Sequence, residues 1–314
     1  MTQQQIYDLV IRMGIKADLR GESRVKKLLV RTKEKYERLN KEQKEEFDQE
    51  KLTNPYSDTR ILVDTNKPIK KILVGIDIAG AELYLADKLK VDLIISHHPL
   101  GKAFAASHEA MHLQAEVLEK YGVPINIAES LLKVRISEVS RGVHPINHNR
   151  IVDAAKILGI GLMCVHTPAD NLVAEFLESK IKKAKPEYVG DLMKLINDIP
   201  EYKEATKISA GPKIFTGNED NRCGKIAMTD ITGGTFGSSK IYVKMSQAGI
   251  GTVVGMHMNE ESKKKAETAH INVVIAGHMS SDSLGINLFL DEIEKKGIEI
   301  ISCSGLTRIK RYKK

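Results

Sequence analysis

The chain has 314 residues, enough for one large α/β domain or two modest lobes around a sizeable core. With 48 Lys and Arg against 41 Asp and Glu, the formal charge of +7 permits contact with phosphates without requiring it. No run is apolar for long enough to span a bilayer, the start "MTQQQIYDLVIRMGIK" is not a secretory signal, and Cys164, Cys223 and Cys303 lie too far apart for a disulfide framework or a cysteine zinc site. A cytoplasmic protein is expected. No helix-turn-helix, zinc-finger or RNP pattern supports nucleic-acid binding, and the basic tail "RIKRYKK" reads as a solvated end.

Residues 1–52 read as a helical extension: a short helix, then one long helix over "RVKKLLVRTKEKYERLNKEQKEEFDQEKL", rich in opposite charges four residues apart and ended by "TNPYSD". From residue 70 short β-branched runs alternate with amphipathic stretches. Strands are expected at 71–78, 91–96, 123–128 and 161–165, with helices between them, including one over "AASHEAMHLQAEVLEKYG". An irregular segment, 185–222, holds one helix around "VGDLMKLI". The rhythm then resumes with strands "KIAMT", "GTVVG", "INVVIAG" and "IEIIS". Such alternation predicts an α/β fold with mainly parallel sheets, in two lobes at 53–185 and 186–314 that form one unit. "LQAEVLEKYGVPINIAE" weakly echoes "IVDAAKILGIGLMCVHTPAD".

Ligands in open α/β sheets bind at the carboxyl ends of strands. His97 and His98, in "IISHHPLGK", follow one strand; His166, His278 and His257 follow others, as does Asp230. "HTPAD" and "HMSSD" each place a carboxylate four residues after a strand-end histidine, giving His166 with Asp170 and His278 with Asp282. Either Asp also serves as an ordinary helix N-cap. Four imidazoles and two carboxylates exceed what one tetrahedral zinc needs and suit two adjacent divalent transition metals, Zn, Fe or Mn, sharing a carboxylate. Asp170 is the first choice for that bridge. Asp77, Glu129, His257 and Glu260 are candidates for orienting groups or the general base. "HEAMH" also fits the zinc-protease pattern, with His108 and His112 as ligands, Glu109 as base and Glu129 as a possible third ligand, or with either histidine at the entrance to the same site. "ITGGTFGSSK" lacks Walker or G-x-G-x-x-G spacing and reads first as a tight turn, second as backbone facing an anion.

"ILVGIDIAGAELYLADKLKVDLIISHHPL", "CVHTPAD" and "GHMSSDSLGINLFLDEI" together resemble the Nif-three-like dinuclear metal-centre proteins, also called GTP cyclohydrolase type 2 homologues. The family pattern matches Asp77, His97, His98 and Pro99, then His166, Thr167 and Asp170, then Gly277 and His278; Asp282 stands where the family has Glu. The resemblance implies two α/β lobes with a two-metal site between them, and a homohexameric ring whose cavity admits small molecules. It implies hydrolysis of a small anionic or nucleotide-like substrate. The alternative is a non-catalytic metal carrier or adaptor that contacts nucleic acid or a protein.

Overall fold

In the computed structural model, which describes residues 1–312, nine strands form two sheets. They are β1 (Arg60–Val63), β2 (Lys71–Gly75), β3 (Leu93–Ser96), β4 (Gly161–Cys164), β5 (Lys213–Thr216), β6 (Lys225–Asp230), β7 (Ile250–Gly255), β8 (Asn272–Ile275) and β9 (Glu299–Cys303). Every residue of β3, β4 and β8 is buried, which is why these strands read as unbroken apolar runs: helices cover both faces of a parallel sheet.

The first sheet runs β1-β4-β3-β2-β9 and the second β5-β8-β7-β6. In each, three consecutive strands are parallel and the preceding one adds antiparallel at the edge. One topology is therefore used twice. Both His-x-x-x-Asp turns follow the third parallel strand of their sheet, β4 and β8. The repeat is thus β1–β4 against β5–β8, not the echo between 113–129 and 151–170. β9 pairs with β2, so the chain returns to the first sheet after completing the second.

Residues 123–128 are not a strand. Pro124 precedes a helix, Ile125–Val143, that buries Ala128, Leu132 and Ile136 at four-residue spacing. A short apolar run alone does not separate the two forms; the period beyond it does. The helix expected over 105–122 is three pieces, Gly101–Ala105, a 3₁₀ turn Ser107–Met111, and His112–Lys120. The irregular segment holds two helices, Val189–Asn197 and Pro200–Lys207.

The first 52 residues are more than an appendage. Helix Gln3–Ala17 is capped reciprocally by Thr2 and Gln5 and buries Ile6, Tyr7, Val10 and Ile11 along one face. It lies against helix Thr167–Ala184 so closely that a Cβ on Gly14 would sit 2.6 Å from Pro168. The expected long helix is interrupted, because Asn40 and Gln43 cap a new start after helix Glu22–Glu37. Among the described residues, no helix is long and apolar enough to cross a membrane.

Helix Thr167–Ala184 crosses helix His278–Glu294 at Gly285, where a Cβ would lie 2.3 Å from the Ala169 carbonyl oxygen. Only glycine permits that approach. It sets the first turns of the two helices, with Asp170 and Asp282, side by side.

Candidate metal centre

Four strand ends meet at this crossing. His97 and His98 follow β3, His166 follows β4, His278 follows β8 and His257 follows β7. The rings form a continuous cluster: His97 is 4.9 Å from His166 and 5.4 Å from His98, His98 is 5.2 Å from His278, and His278 is 5.0 Å from His257, centroid to centroid.

The carboxylates sit among them. Asp282 Oδ1 is 3.4 Å from His97 Nε2, and its Oδ2 is 3.5 Å from His98 Nε2 and 3.6 Å from His278 Nε2. Asp170 lies 3.5 Å from His97 Nε2 and 3.9 Å from His166 Nε2. Asp282, not Asp170, therefore reaches both sides of the cluster. It reaches three imidazoles from a helix that the Gly285 crossing holds close.

Three of the imidazoles are held by their other nitrogen. His97 Nδ1 lies 2.9 Å from the Val165 carbonyl oxygen, His98 Nδ1 2.7 Å from Asp77 and His166 Nδ1 2.8 Å from Asp58. In the neutral ring each acceptor holds the proton on Nδ1 and leaves Nε2 bare and facing the cluster. Asp58 is absent from the sequence expectations, where "TNPYSD" reads only as a helix breaker. It is fully buried and also accepts from the Thr167 hydroxyl at 2.5 Å. The signal in the sequence is slight: an acid just before a strand that borders the His166 strand.

Buried polar atoms in proteins are nearly always paired. Here His97 Nε2, Asp170 Oδ1 and both oxygens of Asp282 are buried with no hydrogen-bond partner, and all four converge. Three overlapping groups have the spacing to hold a cation: His97, His98 and His166; His98, His278 and Asp282; His97, Asp170 and Asp282. The donors are nitrogen and oxygen only, which suits Zn, Fe or Mn.

The electrostatics agree. Burial raises the Asp170 carboxyl to about 6, with the charge of Asp282 adding to it. Burial would also raise Asp282, but the imidazoles of His97, His98 and His278 hold it far below the usual carboxylate range. Burial would lower His166, yet Asp170 and Asp58 bring it up to about 9. His278 goes the other way, to about 4, through burial and the neighbouring histidines. Such divergent shifts in one cleft-lining cluster are those of a candidate functional site.

Not every sequence candidate arrives. Glu129 is exposed, in a groove with Arg24, Arg31 and His112 on another side of the helix Ile125–Val143. Glu260 is exposed beside Lys264, and only its neighbour Asn259 lines the cleft. The H-E-x-x-H pattern straddles a 3₁₀ turn and a helix start, Glu109 pairs with Lys51 at 2.7 Å, and neither His108 nor His112 lines the cleft. His257 and Asp77 do line it.

The family model described as Duf34/NIF3 (NGG1p interacting factor 3) matches residues 43–121, which contain Asp58, Asp77, His97 and His98. A crystal structure of a NIF3 superfamily protein from Sphaerobacter thermophilus superposes with a TM-score of 0.74 at 26% identity, over 80% of this chain and 92% of that one. The chain is similar to NIF3-family proteins in this block and in its fold. Weaker fold likenesses extend to reduced HcgD from Methanocaldococcus jannaschii, at 19% identity and TM-score 0.45 over 77% of this chain and 87% of that one. Another is TTHA1606 from Thermus thermophilus, at 13% identity and TM-score 0.47 over 82% and 92%. No curated protein matches the sequence. The stretch matched by the family model and the geometric cluster coincide at His97 and His98.

Proposed function

We propose that this protein, similar to NIF3-family proteins, is a dinuclear metal-dependent hydrolase acting on a small anionic or nucleotide-like molecule, of the kind the GTP cyclohydrolase type 2 resemblance implies. The observation that carries the reading is the unpaired Asp282 carboxylate, whose two oxygens face different histidines. His97, His98, His166, Asp170, His278 and Asp282 would hold two divalent ions, with Asp282 shared. Such ions lower the pKa of water and polarise a carbonyl, amidine or phosphoryl oxygen.

The chain's own groups do the rest. Asp77 and Asp58 orient His98 and His166. His257 is the best-placed proton acceptor: it lines the cleft, touches His278 and has a buried, unpartnered Nδ1. The cleft above the cluster, about 1010 Å³ and walled by helix Ile125–Val143, suits a small molecule rather than a folded protein or duplex DNA.

The adaptor reading loses one support. Arg308 and Arg311 of the tail are engaged by Asp291, Glu294 and Glu201 instead of being free for nucleic acid. The same proposal makes the protein a cytosolic homohexamer, supported by the resemblance, the three free cysteines, and exposed Tyr84, Leu85 and Ile157 on the outer helices of the first sheet.

The test is elemental analysis with a screen of nucleotides, cyclic amides and phosphodiesters, on metal-loaded and chelated protein and on His257→Ala. Two ions per chain and turnover lost in both the chelated protein and the variant are expected. Less than one ion per chain sinks the dinuclear reading. Light scattering across a concentration series tests the hexamer, which a stable monomer near 35 kDa overturns.

A further inference from the structure

The metal cleft does not end at its aromatic wall. Beyond Phe236 it continues into a smaller recess of about 190 Å³, and the two share Arg135, Glu138, Phe236 and Asn259. The linings differ in kind. Leu100, Phe104, Met111, Val139 and Val143 give the cleft an apolar flank. Ser130, Ser238, Ser239 and Lys240 give the recess hydroxyls and an ammonium.

Arg135 stands at the junction. Its guanidinium lies over the Phe236 ring at 4.5 Å, and its Nε donates to the Phe236 carbonyl oxygen at 3.5 Å. Nη1 donates to Glu138 at 3.2 Å, which leaves Nη2 without a hydrogen-bond partner among the described residues. Stacking fixes the plane of the fork before any ligand arrives, the arrangement in which arginine recognises oxyanions best. Lys240 makes no ion pair among the described residues. Two acids also border the recess. Glu138 is tied to Arg135 across a half-exposed pair worth little on its own, and Glu261 accepts from the Ser239 hydroxyl at 2.6 Å.

We propose that this recess is a phosphoryl-binding subsite, with Arg135 and Lys240 as its cations and Ser238 as its hydroxyl donor. It rests on the reading of the adjoining cleft as the substrate site. The substrate class that follows is a small phosphate monoester whose body lies along Phe104, Met111 and Val139, while its other end reaches the histidines. The glycines of "TGGTFGSS" then serve less as a phosphate cradle than as the bend that carries Phe236, Ser238 and Ser239 to the junction. Gly233 and Gly234 have φ of 86° and 80°, and Gln114 holds the bend by donating to the carbonyls of Gly233 and Thr235.

The experiment titrates the full chain with phenyl phosphate, and with phenol as its neutral counterpart, by calorimetry. It uses chelated protein so that metal ions contribute nothing to phosphate affinity. Phenyl phosphate is expected to bind, phenol far more weakly, and Arg135→Gln and Lys240→Gln are each expected to raise Kd roughly tenfold, the loss of one charge-assisted contact. Lys240 is exposed, so its variant folds even where Arg135→Gln is compromised. An unchanged Kd in Lys240→Gln, or equal binding of phenol, overturns the subsite. Elemental analysis of the metal-loaded variants separates the two readings. Wild-type metal content with unaltered phosphate binding defeats the subsite alone. An absence of metal from all forms, with phosphate binding still lost in the variants, defeats the hydrolase reading and supports the subsite.

Discussion

Asp58 accepts a hydrogen bond from His166 Nδ1 at 2.8 Å, although the two stand 108 residues apart. Burial would raise the Asp58 carboxyl, but His166 and the Thr167 hydroxyl and amide lower it, so the group stays ionised and keeps the imidazole proton on Nδ1. His166 Nε2 is thereby left facing Asp170. The expected consequence of Asp58→Asn is metal affinity weaker by roughly 10–100-fold, the usual loss when a histidine ligand's carboxylate partner is removed. Competition against a chromophoric chelator reads this directly. Wild-type affinity in the variant means that His166 does not depend on Asp58.

Asp282 and Asp170 differ in reach, and metal stoichiometry separates them. Asp282 approaches His97 through one oxygen and both His98 and His278 through the other, whereas Asp170 approaches only His97 and His166. Asp282→Ala is expected to lose both ions and Asp170→Ala to keep one. Elemental analysis of the two variants after identical metal loading is the measurement. The opposite ranking restores Asp170 as the shared ligand.

His112→Ala and Glu129→Ala are expected to leave metal content unchanged, because both residues line the groove beside Arg24 and Arg31 on the far side of the helix that walls the cleft. His97→Ala strips the metal. If His112→Ala removed metal while His97→Ala did not, the zinc-protease reading of "HEAMH" would stand after all.

The strands and the candidate metal ligands are legible in the sequence for the same reason. A buried parallel strand is an apolar run, and whatever polar residue ends it stands at the sheet's carboxyl edge. That places His97, His98, His166 and His278 before any coordinates. The helix Ile125–Val143 reads as a strand at its start because "VPINIA" is as apolar as one, and only Leu132 and Ile136 beyond it reveal the period. Which carboxylate reaches more of the imidazoles depends on Gly285 meeting Ala169, a contact between distant segments that no local pattern encodes. Asp58 is illegible on similar grounds: its partner is set by β1 pairing antiparallel with β4.

The segment before β1 has an acid-sensitive anchor. Asp48 accepts from Arg60 Nη2 at 2.9 Å and Nε at 3.2 Å, and Arg60 is 1% exposed. Burial alone would raise the Asp48 carboxyl, but Arg60 and Lys102 hold it below the ordinary range. A carboxyl depressed in the folded state stabilises above its unfolded pKa of about 3.9 and loses that contribution as pH falls through the lower folded value. Asp48→Asn should therefore cost about 1–3 kcal/mol at neutral pH, with the gap to wild type closing below about pH 4. Denaturant midpoints across that range test it, and a gap that does not change with pH counts against the pair.

The C-terminal tail reads in sequence as a solvated basic end; Lys313 and Lys314 lie outside the described residues, and the structure gives Arg308 and Arg311 a different task. After β9 returns to the first sheet, Arg308 pairs with Asp291 and Glu294 at 2.6 Å each, on the helix that carries His278 and Asp282. Arg311 grips Glu201 through both nitrogens, at 2.7 and 2.5 Å. The Glu201 side chain is 0% exposed, and its other partner is the Asn287 amide at 2.9 Å. Removing the guanidinium strands a carboxylate in the interior, so Arg311→Ala is expected to cost about 3 kcal/mol or more. Arg311→Ala with Glu201→Gln, which removes the stranded charge as well, should recover part of that loss. Chemical denaturation of both variants is the check. Lys310, whose ammonium pairs with Glu294 at the surface, supplies the contrast: Lys310→Ala should change stability by less than about 1 kcal/mol. A tail that only trails in solvent would give Arg311→Ala the same small effect.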